Sequence, residues 1–259
     1  MTLIARRSTF LSLPGWINPS WRPSDSHDKS HLQTLIDIGL QIPTLMEKFD
    51  TSRHSVIDLE SLKISPLGGL IEDALELLRS LEIWEDRLRG GDKKSQLYIA
   101  RLATSSHSAL DKDDPGNVFP ISYDFPSFEF GSALIFYEAI QIFLNGLLID
   151  MSEYGQRTKE SSSLHETMVP LPNVLDLTAK SLECADRICQ SVDYFFEANK
   201  RIIGRVAIMF PFESARALMA RMAESGTGDY QKDALLGRKL MFCHAVAQRF
   251  QNEGLLVWQ

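Results

Sequence analysis

From Gly131 to Met151 the chain is apolar on nearly every side of a helix: Ala133, Leu134, Ile135, Phe136, Ala139, Ile140, Ile142, Phe143, Leu144, Leu147, Leu148 and Ile149. A helix that is hydrophobic all round must be covered all round, so this segment is expected to be the buried centre of a helical core. Its polar exceptions Glu138, Gln141 and Asn145 stand three and four apart, on one narrow face. Left without partners in the interior, such groups cost about 1–3 kcal/mol each. Two arrangements satisfy them. They bond to a neighbouring helix or loop, or they face a cavity and offer a few hydrogen bonds to a mostly apolar ligand.

The rest of the chain reads as more helices. Apolar residues recur at three and four from Asp28 to Asp50, and Pro43 should kink or split that helix near Ile42. Leu70 to Leu88 repeats the pattern and stops at Gly90-Gly91. Further helices are expected over Asp176–Asn199, Arg201–Glu224 (with Pro211 inside it) and Tyr230–Asn252. Residues 90–128 and 152–173 carry the Pro, Gly, Ser and Asp of long irregular connections, the first with a short strand or helical turn over Gln96–Leu102. The expected fold is all-α: an N-terminal arm over residues 1–27, then one irregular domain of six to seven long helices and two long loops over 28–259.

Charge and cysteine content narrow the function classes. Twenty-seven basic against 34 acidic residues give a formal charge of −7, the wrong sign for a protein that neutralises a phosphate backbone. Three cysteines, Cys184, Cys189 and Cys243, fit a reduced, cytoplasmic or nuclear protein. By run length, no apolar stretch reaches the ~18–20 residues of a membrane span. Residues 1–24 have Arg6, Arg7 and Arg22 with no acid, the bias of a mitochondrial transit peptide. Trp16, Trp21, Pro14, Pro19 and Pro23 suit an ordered arm laid on the domain better than an amphipathic targeting helix.

Glycine-rich phosphate loops, paired-histidine zinc motifs and the serine nucleophile elbow are absent from the sequence. His27 and His31, at i and i+4, are two ligands where zinc needs at least three from the protein, and read as solvated surface residues. Cys184 and Cys189, five apart on a helix, point about 140° from one another and cannot share a metal. Cys189 and Cys243 read as small core residues. No metal and no cofactor is expected.

Several fragments, in order, resemble one family: Phe10-Leu-Ser with Trp16 and Trp21, Leu35-x-x-Ile38-x-x-Gln41-Ile-Pro-x-Leu45, and Phe125-Pro-Ser-Phe-Glu-Phe130. They continue with Ala185-x-x-Ile188-Cys189-x-Ser191-Val192-x-Tyr194-Phe195, then Gly204 with Phe210-Pro211-Phe212-x-x-Ala215, and Gly254-Leu255. Together, over roughly residues 10–256, they resemble the C-terminal half of the fungal-specific transcription-factor domain that follows binuclear zinc-cluster DNA-binding modules. The resemblance implies an all-helical regulatory domain that senses small molecules. The six closely spaced cysteines of the zinc cluster are not in this sequence, so direct DNA binding is not expected of it.

Two uses of such a domain remain. One is a non-catalytic regulatory or protein-interaction role, with an apolar metabolite or a protein as partner and a homodimer as a candidate assembly. The other is recruitment in secondary metabolism as a cofactor-free cyclase or isomerase, of the pericyclase or Diels–Alderase kind, acting on a polyketide or terpenoid. Such reactions gain from a held near-attack conformer and one polarised carbonyl, neither of which needs a metal. Both uses predict an apolar cavity beside the 131–151 helix, bordered by 185–196 and 204–216. For a catalyst the candidate donors and acids are Gln141, Asn145, Tyr137 and His244. The candidate ligand-binding residues are Glu138, Phe136, Tyr194, Phe195, Met209 and Phe212. A scaffold would instead fill that space with Phe143, Phe195 and Met209 and expose an apolar patch elsewhere.

Overall fold

A computed structural model describes residues 6–7, 29–54, 66–90, 96–103, 118–161, 173–226 and 228–255. The fold is predominantly all-α. In chain order the elements are α1 (His31–Gly39), α2 (Ile42–His54), α3 (Pro66–Leu88), β1 (Ile99–Leu102), β2 (Ile121–Asp124), α4 (Phe128–Ser161), α5 (Val174–Gln190), α6 (Val192–Phe196), a 3₁₀ turn (Ala198–Lys200), α7 (Arg201–Ser225) and α8 (Tyr230–Asn252). Packing divides the chain into two compact units, Met1–Ser95 with Phe143–Ala179, and Gln96–Ile142 with Lys180–Gln259. Each is taken by itself. Most of the expected arm over 1–27 lies outside the described residues, as does His27.

In the first unit the helix expected over 28–50 is split where Pro43 predicts. α1 ends at Gly39, and Pro43 takes the second position of α2, where a missing N–H costs little. Ser30 and Gln33 close a capping box at the start of α1. α1 and α2 pack on α3, and Leu35, Ile42, Phe49, Ile71, Leu81 and Trp84 are sealed from solvent. Each large side chain buried this way contributes roughly 1.5–3 kcal/mol. Trp84 Nε1 donates to the His31 carbonyl at 2.7 Å, so the indole is buried without an orphaned N–H. Phe49 meets Tyr154 edge-on at 5.8 Å. Arg6 pairs with Asp50 at 2.8 Å and with Asp150 at 3.3 Å.

α4 corrects the expectation of a loose segment from Ser152. The helix runs on to Ser161 because Met151, Ser152 and Gly155 continue its buried face. Its length also corrects the estimate from apolar runs. Phe128–Arg157 is long and apolar enough to cross a membrane by composition, while 78% of its most apolar window is buried inside the protein.

The second unit gathers α6, α7 and α8 with the ribbon β1–β2. α7 packs on α8 and on α6, and α6 touches β2. The helix expected over 176–199 breaks at Ser191, whose hydroxyl donates to the Arg187 carbonyl at 2.7 Å. Two glycines are fixed by close approach. A Cβ on Gly204 would come within 2.2 Å of the Phe195 carbonyl oxygen, and one on Gly131 within 2.8 Å of the Phe125 ring. Rings fill the rest: Phe196 and Phe212 lie 4.9 and 5.6 Å from Phe250.

The antiparallel ribbon lies within residues 90–128: β1 falls in the Gln96–Leu102 segment expected as a short strand or helical turn, and β2 in the part expected to be irregular. Its register pairs Ile99 with Asp124 and Ala100 with Tyr123. That register sets Tyr98 and Tyr123 diagonally on one face, their rings 4.0 Å apart.

Candidate functional site

Glu138 is the residue from which the site builds. It sits in the part of α4 that belongs to the second unit, with its side chain 5% exposed. A carboxylate there needs a cation, and Arg187 of α5 supplies one. Arg187 Nε and Nη2 donate to the two Glu138 oxygens at 2.7 and 2.8 Å, a bidentate fork. Burial works against the guanidinium charge, but the hydrogen bonds and charge of Glu138 outweigh it and hold the Arg187 pKa above its ordinary value. Arg187 also donates to Cys184 Sγ at 3.4 Å. Burial first, then the nearby Glu138 charge, pushes the Cys184 thiol up, so it stays neutral.

Around this pair Tyr98, Tyr123, Phe125, Leu134, Ile135 and Ser191 line a half-open recess. Its central space is ≈ 10 Å³, room for about one water. The ribbon that carries both tyrosines is held by Arg101, whose Nη2 lies 2.9 Å from Asp124 and 3.1 Å from Glu197. Burial, then the charge of and hydrogen bond with Tyr98, push Tyr123 up to about 12, so its hydroxyl stays protonated at neutral pH and can donate.

Of the residues predicted from sequence, Glu138 lines this recess. Tyr137 and Gln141 meet each other, Gln141 Nε2 donating to the Tyr137 hydroxyl at 2.9 Å with both side chains buried. Asn145 is fully buried in the part of α4 that belongs to the first unit. Tyr194 and Phe195 stack edge-to-face at 5.1 Å, and both pack on Phe125. Phe136 lies 5.4 Å from Phe210. Phe212 is in the core against Phe250, Met209 is half-buried, and His244 is on the exposed side of α8.

Sequence reasoning missed Tyr98, Tyr123 and Arg187. Tyr98 lies in the Gln96–Leu102 segment expected as a short strand or helical turn, Tyr123 in the irregular stretch after it, and neither carried a site signal; Arg187 was an unmarked position in the Ala185–Phe195 fragment. Among the described residues no group of three or more His, Cys, Asp and Glu side chains could hold a metal ion. No protein-family model, curated protein or solved structure matches this chain.

Proposed function

We propose that the chain acts as a helical regulatory domain of the fungal transcription-factor type, which binds a small molecule or a protein partner and does not turn it over. The observation that carries this reading is how the polar stripe is used. Glu138 is committed to Arg187, Gln141 to Tyr137, and the space beside them is the size of one water. Side chains tied up in this way hold a fold together, and neither Glu138 nor Gln141 is left to act on a polyketide-sized substrate. An exposed apolar group on the first turns of α7, Ile202 (53%), Ile203 (64%) and Val206 (53%), is what the scaffold alternative called for. DNA binding is not part of the proposal, in keeping with the charge of −7.

A cofactor-free cyclase is the second reading. It draws on Tyr98, Tyr123 and Arg187, hydrogen-bond donors beside an apolar wall that could polarise a carbonyl if the ribbon moved aside. One experiment separates the two: incubation of the protein with a fungal metabolite extract, followed by mass spectrometry of the extract and of the native protein. A metabolite held unchanged, with binding retained in Gln141→Ala and weakened in Tyr123→Phe, is the result expected of a regulatory domain. A metabolite of unchanged mass and altered retention time, formed by the wild type and not by Tyr123→Phe, would replace it with the cyclase.

A further inference from the structure

Three sulfur atoms meet in the core of the second unit. Cys189 of α5 and Cys243 of α8 are 2% and 0% exposed, with their Sγ atoms 3.8 Å apart. Met219 of α7 places its Sδ 3.7 Å from Cys243 Sγ. The remaining cysteine, Cys184, is engaged by Arg187 on another face of α5, as its five-residue offset from Cys189 requires. A disulfide has sulfurs about 2.05 Å apart, so the two thiols need approach by less than 2 Å to be joined.

We propose that Cys189 and Cys243 form an oxidative modification site, closed to a disulfide by a peroxide, that locks α8 to α5. One thiolate attacks the peroxide, breaking the O–O bond; its sulfur becomes a sulfenic acid and hydroxide leaves to take up a proton. The second thiolate then attacks that sulfur, the S–S bond forms, and the sulfenic oxygen leaves as water. Two thiols and one hydrogen peroxide thus give one disulfide and two waters. Burial keeps both thiols out of reach while the helices are closed, and for Cys189 the contact with Cys243 and then burial raise its pKa. Oxidation therefore proceeds through local opening of α8, whose outer side is exposed at Met241 and His244. Once formed, the bond ties residues 54 apart in sequence and removes chain entropy from the unfolded state.

The test uses the full chain, treated with hydrogen peroxide while folded, then alkylated, digested and mapped by mass spectrometry. The expected product is one cross-linked pair, Cys189 with Cys243, with Cys184 alkylated and the link reversed by dithiothreitol. Cys184→Ser should give the same link, and the oxidised protein should melt several degrees higher than the reduced one. Chain unfolded in guanidinium supplies the comparison, since there the link should lose its preference over pairings that include Cys184. The proposal is overturned if native oxidation yields no Cys189–Cys243 link, if links to Cys184 form in comparable amount, or if the cross-linked protein melts lower than the reduced one.

Discussion

Glu138 and Arg187, 49 residues apart, share two parallel hydrogen bonds of 2.7 and 2.8 Å, with the carboxylate side chain 5% and the guanidinium side chain 30% exposed. A pair this dry is sensitive to the loss of one member, because the survivor keeps its desolvation cost without its partner's field. Glu138→Ala should destabilise the protein by roughly 2–4 kcal/mol, below the range for a fully buried pair because Arg187 reaches solvent. Replacing both by apolar residues, Glu138→Leu with Arg187→Met, should cost less than the two single changes added together. Urea denaturation of the three variants measures this, and strict additivity would mean that the fork does not couple the residues.

Gly204→Ala and Gly237→Ala should move stability in opposite directions. The first drives a methyl to 2.2 Å from the Phe195 carbonyl oxygen, a backbone atom that no rotamer change can withdraw. A loss of more than ~2 kcal/mol is expected. Gly237 lies inside α8 with nothing within 4 Å of an added Cβ, so alanine there should gain about 0.5–1 kcal/mol of helix propensity. Thermal melts of the two variants decide it.

Alkaline titration should find Tyr123. Its folded pKa of about 12 lies above the ordinary tyrosine value of 10.0, so its share of stability is complete below the unfolded pKa and is lost as pH rises through the folded one. Wild type should therefore lose stability between about pH 10 and 12 more steeply than Tyr123→Phe. The measurement is the denaturation midpoint against pH, with tyrosinate absorbance reporting ionisation. Identical slopes in the two proteins would show that Tyr123 titrates as it does when unfolded.

At acid pH the ribbon's anchor should fail. Burial disfavours the Glu197 charge, but hydrogen bonds and charges from Lys200 and Arg101 outweigh it and hold its pKa below the usual glutamate range. That contribution is present above the ordinary glutamate pKa and is lost as pH falls through the depressed one. Glu197→Gln should flatten the acid limb of the stability profile. Hydrogen exchange at Ile99–Leu102 should then be faster at neutral pH than in the wild type.

Much of the helical frame was legible because it depends on local period. Tyr230–Asn252 was expected and found at the same bounds, and the Ile42 break followed from one proline. The Gln141–Tyr137 bond is an i, i−4 contact that spacing alone allows. What stayed hidden was non-local. Nothing within a turn of Glu138 announces Arg187, and nothing beside Cys189 announces Cys243. Of the ribbon, β1 lies in the Gln96–Leu102 segment that reads as a short strand or turn, while β2 and the pairing escaped because four-residue strands give too few alternations to stand out from a Pro- and Asp-rich stretch. The Ser191 break was missed too, since the apolar pattern runs through it while a side-chain hydroxyl takes up the Arg187 carbonyl.

Four residue pairs hold the ribbon, and a slip of one strand by one position would put Tyr98 and Tyr123 on opposite faces. A change in the number of residues between Leu102 and Ile121 does not alter which residues pair. Evolution can therefore edit the two parts at different rates. Related chains should differ in how many residues separate the strands, while an insertion or deletion inside either strand should be purged, and that contrast would mark the tyrosine face as the thing inherited.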